Sequence, residues 1–175
     1  GANKQLVSNN NSAEATNGVY GYLSAFGSDG WTMTTGSSDF SRMNTNSTTY
    51  VSWNWLAGTS FTNDASSTGI GTIDSTGSVN QDSGFSIVSW VGNQTAGAQI
   101  KHGLNTTPSM LLLKKASASG TDWFVYHKSI GATHYLGLNQ TYAKQDQILA
   151  WNDTEPTSSV FSVGAGGSSN GSGAT

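Results

Sequence analysis

Apolar and polar residues alternate with a period of two along most of this chain, and the three-to-four-residue spacing of an amphipathic helix is almost absent. The clearest case is Thr48-Thr49-Tyr50-Val51-Ser52-Trp53-Asn54-Trp55-Leu56. Extended geometry sends Val51, Trp53 and Trp55 to one face and Tyr50, Ser52, Asn54 and Leu56 to the other. The pattern predicts a strand with its tryptophan face in the core, ended by Ala57-Gly58. Earlier in the chain, Asp29-Gly30 reads as a turn leading into the alternating Trp31-Thr32-Met33-Thr34. In the second half the pattern predicts strands at 84–91, 98–102, 109–115, 123–127, 135–139, 147–151 and 159–164. Pro108 fixes the entry to the third of these and pushes Thr107 towards extended geometry.

Between the two halves, 59–82 is rich in Ser, Thr, Gly and Asn and is expected to be a linker. It divides the chain into 1–58 and 83–175, and these two parts echo each other. Gly1-Ala2-Asn3-Lys4-Gln5-Leu6-Val7-Ser8-Asn9 lies on Gly131-Ala132-Thr133-His134-Tyr135-Leu136-Gly137-Leu138-Asn139 without a gap, an offset of 130 residues. At the same offset, Trp31-Thr32-Met33 meets Phe161-Ser162-Val163. The tail Asn170-Gly171-Ser172-Gly173-Ala174-Thr175 resembles the lead-in to the tryptophan strand that ends in Thr48-Thr49. The expected architecture is all-β, an antiparallel, jelly-roll-like β-sandwich module present as one and a half tandem units. On this parse 1–58 is the C-terminal part of a first unit, and 83–175 is a second unit lacking its last strand. Either part alone leaves a sheet edge exposed, to be completed by the N-terminal segment or by a neighbouring chain.

Composition sharpens the picture. Of 175 residues only 10% are charged, against about 25% in an ordinary soluble domain. Ser, Thr, Asn and Gly must therefore make the surface polar, and these residues favour turns and extended segments over helices. Six Trp, six Tyr and six Phe are too many for a chain that never packs. A net charge of −3 with seven scattered Lys and Arg offers no basic stripe, so nucleic acid is not an expected partner. No apolar run approaches the roughly 20 residues that span a bilayer, so no membrane partner is expected. With no cysteine, thiol chemistry and cysteine-based zinc sites are excluded.

Catalytic signals are weak. His102, His127 and His134 are the only histidines, and His127 and His134 lie on either side of an expected turn, close enough in sequence to meet. His134 occupies the slot of Lys4 in the repeat, however, an unsuitable place for an obligatory metal ligand. Asp122, Asp153 and Glu155 invite a glycosidase reading, but carboxylates beside Asn152 and Pro156 serve as turn makers. No catalytic residue, metal or cofactor is expected. The stretch Asp122-Trp123-Phe124-Val125-Tyr126-His127 is apolar on both faces of its strand, so either both faces are buried or one is a contact surface. Phe124 and Tyr126, with Tyr135, are the candidate contact surface, either for a neighbouring subunit or for a sugar ring.

Several motifs occur together in a definite order. They are Gly84-Phe85-Ser86-Ile87-Val88, His102-Gly103-Leu104 with Pro108, Asp122-Trp123 with Val125-Tyr126-His127, and Trp151-Asn152-Asp153 with Pro156-Thr157-Ser158-Ser159-Val160-Phe161. Tyr50-Val51-Ser52-Trp53-Asn54-Trp55 completes the set. In this order they resemble the repeated domain of virion structural proteins, of fibre or tail type, from marine tailed bacteriophages. In that family the repeats often accompany a concanavalin A-like lectin/glucanase module. The resemblance implies a virion structural protein on the particle surface, as a fibre, tail appendage or capsid decoration, that associates with itself and with other virion proteins. It carries no catalytic residues. The alternative expectation is a glycan-binding adhesin that recognises host surface polysaccharide, and a polysaccharide depolymerase ranks third.

Overall fold

The structure, a computed structural model, describes residues 2–16, 18–37 and 43–175. Its first part holds two hairpins. Strand β1 (Lys4–Gln5) pairs with β2 (Ala15–Thr16). Strand β3 (Tyr22–Phe26) pairs with β4 (Trp31–Thr34) across a bulge between Leu23 and Ala25. The Asp29-Gly30 turn closes this second hairpin, where Gly27 N–H donates to the Gly30 carbonyl at 2.7 Å.

The next three strands form one antiparallel sheet, β5 (Thr59–Asn63), β6 (Ser75–Asn80) and β7 (Phe85–Trp90), with β6 in the centre. A single helical turn, α1 (Ala65–Thr68), follows β5. The Asp64 carboxylate caps it by accepting from Ser67 N–H, and Gly69, at φ 67°, ends it in the left-handed region. Strand β8 (Ala98–Lys101) then leads to a four-stranded antiparallel sheet ordered β12-β11-β10-β9. Its members are β9 (Met110–Leu113), β10 (Phe124–His127), β11 (His134–Gly137) and β12 (Gln145–Asp146). The chain continues through α2 (Ile148–Trp151), β13 (Val160–Val163) and α3 (Gly167–Asn170), with β13 antiparallel to β8.

The core lies between two layers. One is formed by β7, β8 and β13, which supply Val88, Trp90, Ala98, Ile100, Phe161 and Val163. The other is formed by β9, β10 and β11, which supply Leu111, Leu113, Phe124, Tyr126 and Tyr135. Trp151 of α2 fills the space between them, packed edge-on to Tyr126 with ring centres 6.1 Å apart. Trp90 meets Phe161 in the same way at 5.5 Å. Each such fully buried side chain stabilises the fold by roughly 1.5–3 kcal/mol of transfer free energy. The result is the expected all-β, antiparallel, sandwich-like fold.

Three elements differ from expectation. The segment 59–82 is not a structureless linker, since it contributes β5, α1 and β6 and buries Ile73 in the core. Its outer face is built from Ser and Thr and its inner face includes Gly77, so its apolar periodicity is faint although its strands are fully paired. Asn63 does work usually given to backbone there: its side-chain amide donates to the Ile70 carbonyl at 2.9 Å and its oxygen accepts from Thr68. Second, 147–151 folds as one helical turn, because Gln147 caps it and Asn152, at φ 55°, terminates it. Third, the tryptophan strand 48–56 pairs with nothing: no strand is present there, and Val51, Trp53, Trp55 and Leu56 are exposed.

The 130-residue echo extends to pairing. In the first hairpin Lys4 opposes Thr16 and Gln5 opposes Ala15, while His134 opposes Asp146 and Tyr135 opposes Gln145. Adding 130 to each residue of β1 and β2 gives the register of β11 and β12.

Candidate functional site

The three residues expected to form a contact surface do not lie together in solvent. Tyr126 is buried, only 2% exposed. Its hydroxyl donates to Glu155 Oε2, and the other oxygen of that carboxylate accepts from Ala132 N–H at 2.8 Å. Burial, reinforced by the Glu155 carboxylate, pushes the Tyr126 hydroxyl well above the usual tyrosine range, so it stays a neutral donor. Phe124 and Tyr135 are half-buried and pack on each other with ring centres 4.4 Å apart, against the core. Strand β10 is apolar on both faces because Phe124 and Tyr126 point inward while Val125 is buried on the other side. Tyr126 is therefore a core residue of this fold and not an exposed contact residue.

The polar candidates have structural partners. His102 is buried; its Nδ1 accepts from Leu104 N–H and its Nε2 faces the Thr157 carbonyl, both at 3.2 Å. Those partners define the neutral ring with its proton on Nε2, and burial lowers its affinity for a second proton despite the Thr157 carbonyl. His127 Nδ1 accepts from Ser129 N–H, and His134 is paired with Thr133. Among the described residues no three His, Asp or Glu side chains gather as a metal site. Asp122 accepts from Asn139 and Gln140, each at 2.8 Å, which ties the end of β11 back to the start of β10. Gly167-Ser168-Ser169-Asn170-Gly171 has the glycine-x-serine-x-glycine spacing of a hydrolase elbow. Here Ser169 is buried, and its hydroxyl donates to the Leu149 carbonyl at 2.7 Å to hold α3 on α2.

What the structure does expose is an apolar segment with alternating side chains but no strand pairing. Val51 is 82% exposed, Trp53 78% and Leu56 79%. Trp55 stacks on Phe85 at 5.6 Å, which anchors this segment beside the outer face of β7. The outer edge of β9 is also free, since among the described residues β10 is its one paired strand. Met110 and Leu112 on that strand are about half exposed, at 51% and 53%. Edges of this kind are often protected by a lysine reaching across them. Lys114 does not do so, because its ammonium folds back onto the Lys115 carbonyl and Thr121 hydroxyl.

A second surface is a shallow, open groove of about 450 Å³ on the β5-β6-β7 sheet, where apolar Ala57, Phe61 and Ile87 alternate with the hydroxyls of Ser60, Thr62, Thr76, Ser78 and Ser89. The register aligns Ser60 with Ser78 and Ile87, and Thr62 with Thr76 and Ser89.

These features describe an all-β domain with unpaired sheet edges, an exposed aromatic segment and no assembled catalytic constellation among the described residues. The chain belongs to DUF7483, a domain family of unknown function whose model matches residues 1–175. No curated protein matches the chain, and no solved structure does.

Proposed function

We propose that this domain is a structural module of a phage virion, in a fibre, tail appendage or capsid decoration, and that it acts by self-association without catalysis. The observation that carries the reading is the pairing of two deficits in one chain: an exposed, alternating aromatic segment at 50–56 and an unguarded edge at β9. Exposed apolar area of this kind marks an interaction surface. The low-charge Ser/Thr/Asn surface suits a particle component that must resist nonspecific adsorption. Neighbouring copies would complete one another's sheets and so build a mechanically continuous assembly.

A second reading is a glycan-binding adhesin, favoured by the groove on β5-β6-β7. Its hydroxyls would bond sugar hydroxyls, with the stacked Trp55 and Phe85 rings close by as an apolar platform. Light scattering over a concentration series, run alongside a glycan array, separates the two. The structural reading expects a stable oligomer and no sugar retained. Sugar binding abolished by Trp55→Ala, from a protein that stays monomeric, would replace it with the adhesin.

A further inference from the structure

We infer that the β5-β6-β7 sheets of two copies pack outer face to outer face about a two-fold axis, each copy seating Trp53 in the groove of the other. This rests on the self-association reading above and names one surface that carries it. Groove and aromatic segment are neighbours on one face. Gly58, at φ 73°, lies against the backbone of Val79 and Asn80, where a Cβ would run into the Val79 carbonyl. Trp55 stacks on Phe85, the residue opposite Asn80 in the ladder. The segment therefore crosses one end of the sheet from β5 to β7, and Ala57 at its base lines the groove. Val51 and Trp53 lie outside that lining and are largely exposed. No backbone hydrogen bond engages 51–57 among the described residues, which leaves the segment free to settle on a partner.

A second copy is the occupant that these groups fit. Because the exposed indole and the groove are adjacent on the same face, one two-fold rotation satisfies both at once, as in an isologous interface. The elements that build the face carry no charge, since 44–63, 75–81 and 83–100 contain no Lys, Arg, Asp or Glu. Two copies of a chain with a net charge of −3 meet there without opposing like charges. Ile87, 58% exposed on the β7 side of the groove, offers the indole an apolar floor. Part of the hydroxyl complement is already satisfied, with Ser60 and Ser78 hydrogen-bonded to each other at 3.3 Å, which suits packing better than the reading of a polar ligand. Sheets stacked face to face lie about 10 Å apart, a gap that large side chains fill.

Surface area points the same way. The chain exposes 9936 Å², whereas a compact monomer of its mass exposes about 8,100 Å². The excess is larger than the roughly 800 Å² that a standard interface takes from each partner. The β9 edge belongs to the other layer of the sandwich and takes no part in this contact.

The test is a complementation between two variants, Trp53→Glu and Ile87→Lys, followed by sedimentation over a concentration series. Alone, each buries a charge with no counter-charge across the interface and should weaken dimerisation at least about tenfold. Both side chains are exposed in the single chain, so the melting curve of dilute protein should not move. When the two variants are mixed, the new carboxylate of one copy meets the new ammonium of the other, and the second contact of the dimer keeps Trp53 against Ile87. The mixture should therefore dimerise at least about tenfold more tightly than either variant alone. That rescue supports the inference. Variants that dimerise like the parent chain, or a mixture no tighter than its components, overturn it and leave self-association standing through another face. A parent chain that stays monomeric to millimolar concentration overturns both, and a neutral glycan retained by that monomer but lost in Ile87→Lys would assign the groove to sugar instead.

Discussion

At the residue scale, aromatic side chains of similar size have opposite roles, and substitution should separate them. Trp151 is 1% exposed inside the core, so Trp151→Ala should cost about 3–5 kcal/mol in urea unfolding. Trp53 lies outside, and Trp53→Ser should change monomer stability by less than about 0.5 kcal/mol while weakening association. Sequence reasoning placed the Trp53 face in the core, because periodicity records which face wants burial and says nothing of whether a partner strand is present. It erred at Tyr126 in the reverse direction, since a tyrosine with a carboxylate partner can be buried as readily as a phenylalanine. His102 supplies a pH prediction. Its affinity for a second proton is lowered by burial in the folded state, so below its unfolded value of about 6.5 the unfolded chain binds more protons. Stability should be level above that pH and fall as pH drops through it towards the folded value. His102→Gln should flatten that part of the profile, measured as the difference between the two proteins' unfolding free energies from pH 7.5 to 5.

At the element scale, strands with strong apolar alternation were legible, β4, β7, β8, β9, β10, β11 and β13 among them. Those of β5 and β6 were not. Ser60, Thr62, Thr76 and Ser78 face solvent, and Gly77 takes an inward position that an apolar residue would normally mark. Gly77 is required by contact, since a Cβ there would run into the Ile87 carbonyl and lie 2.9 Å from the Phe61 ring. Strand propensity alone would favour Gly77→Val by up to about 1 kcal/mol. Overpacking costs about 1–3 kcal/mol and should win, so denaturant titration should show net destabilisation. The helical turn α2 escaped detection because four residues between Gln147 and Asn152 are too few to show a period.

At the scale of the whole molecule, every buried hydrophobic residue described lies between Ala65 and Val163. The hairpins of β1–β2 and β3–β4 carry the pattern of the repeat, but Leu6, Phe26 and Trp31 stay exposed. Trp31 stands where the repeat has the buried Phe161, so the same position is core in one setting and surface in the other. The sequence made the echo visible and left open which segment completes the sheet.

The most direct test of strand exchange between copies is amide hydrogen exchange at 51–57 over a concentration series. In dilute solution these amides should exchange at close to the rate of an open chain. As concentration rises, amides within this segment should slow together with those of Met110, Leu112 and Lys114. Exchange at 51–57 that stays fast while the protein assembles would contradict the account.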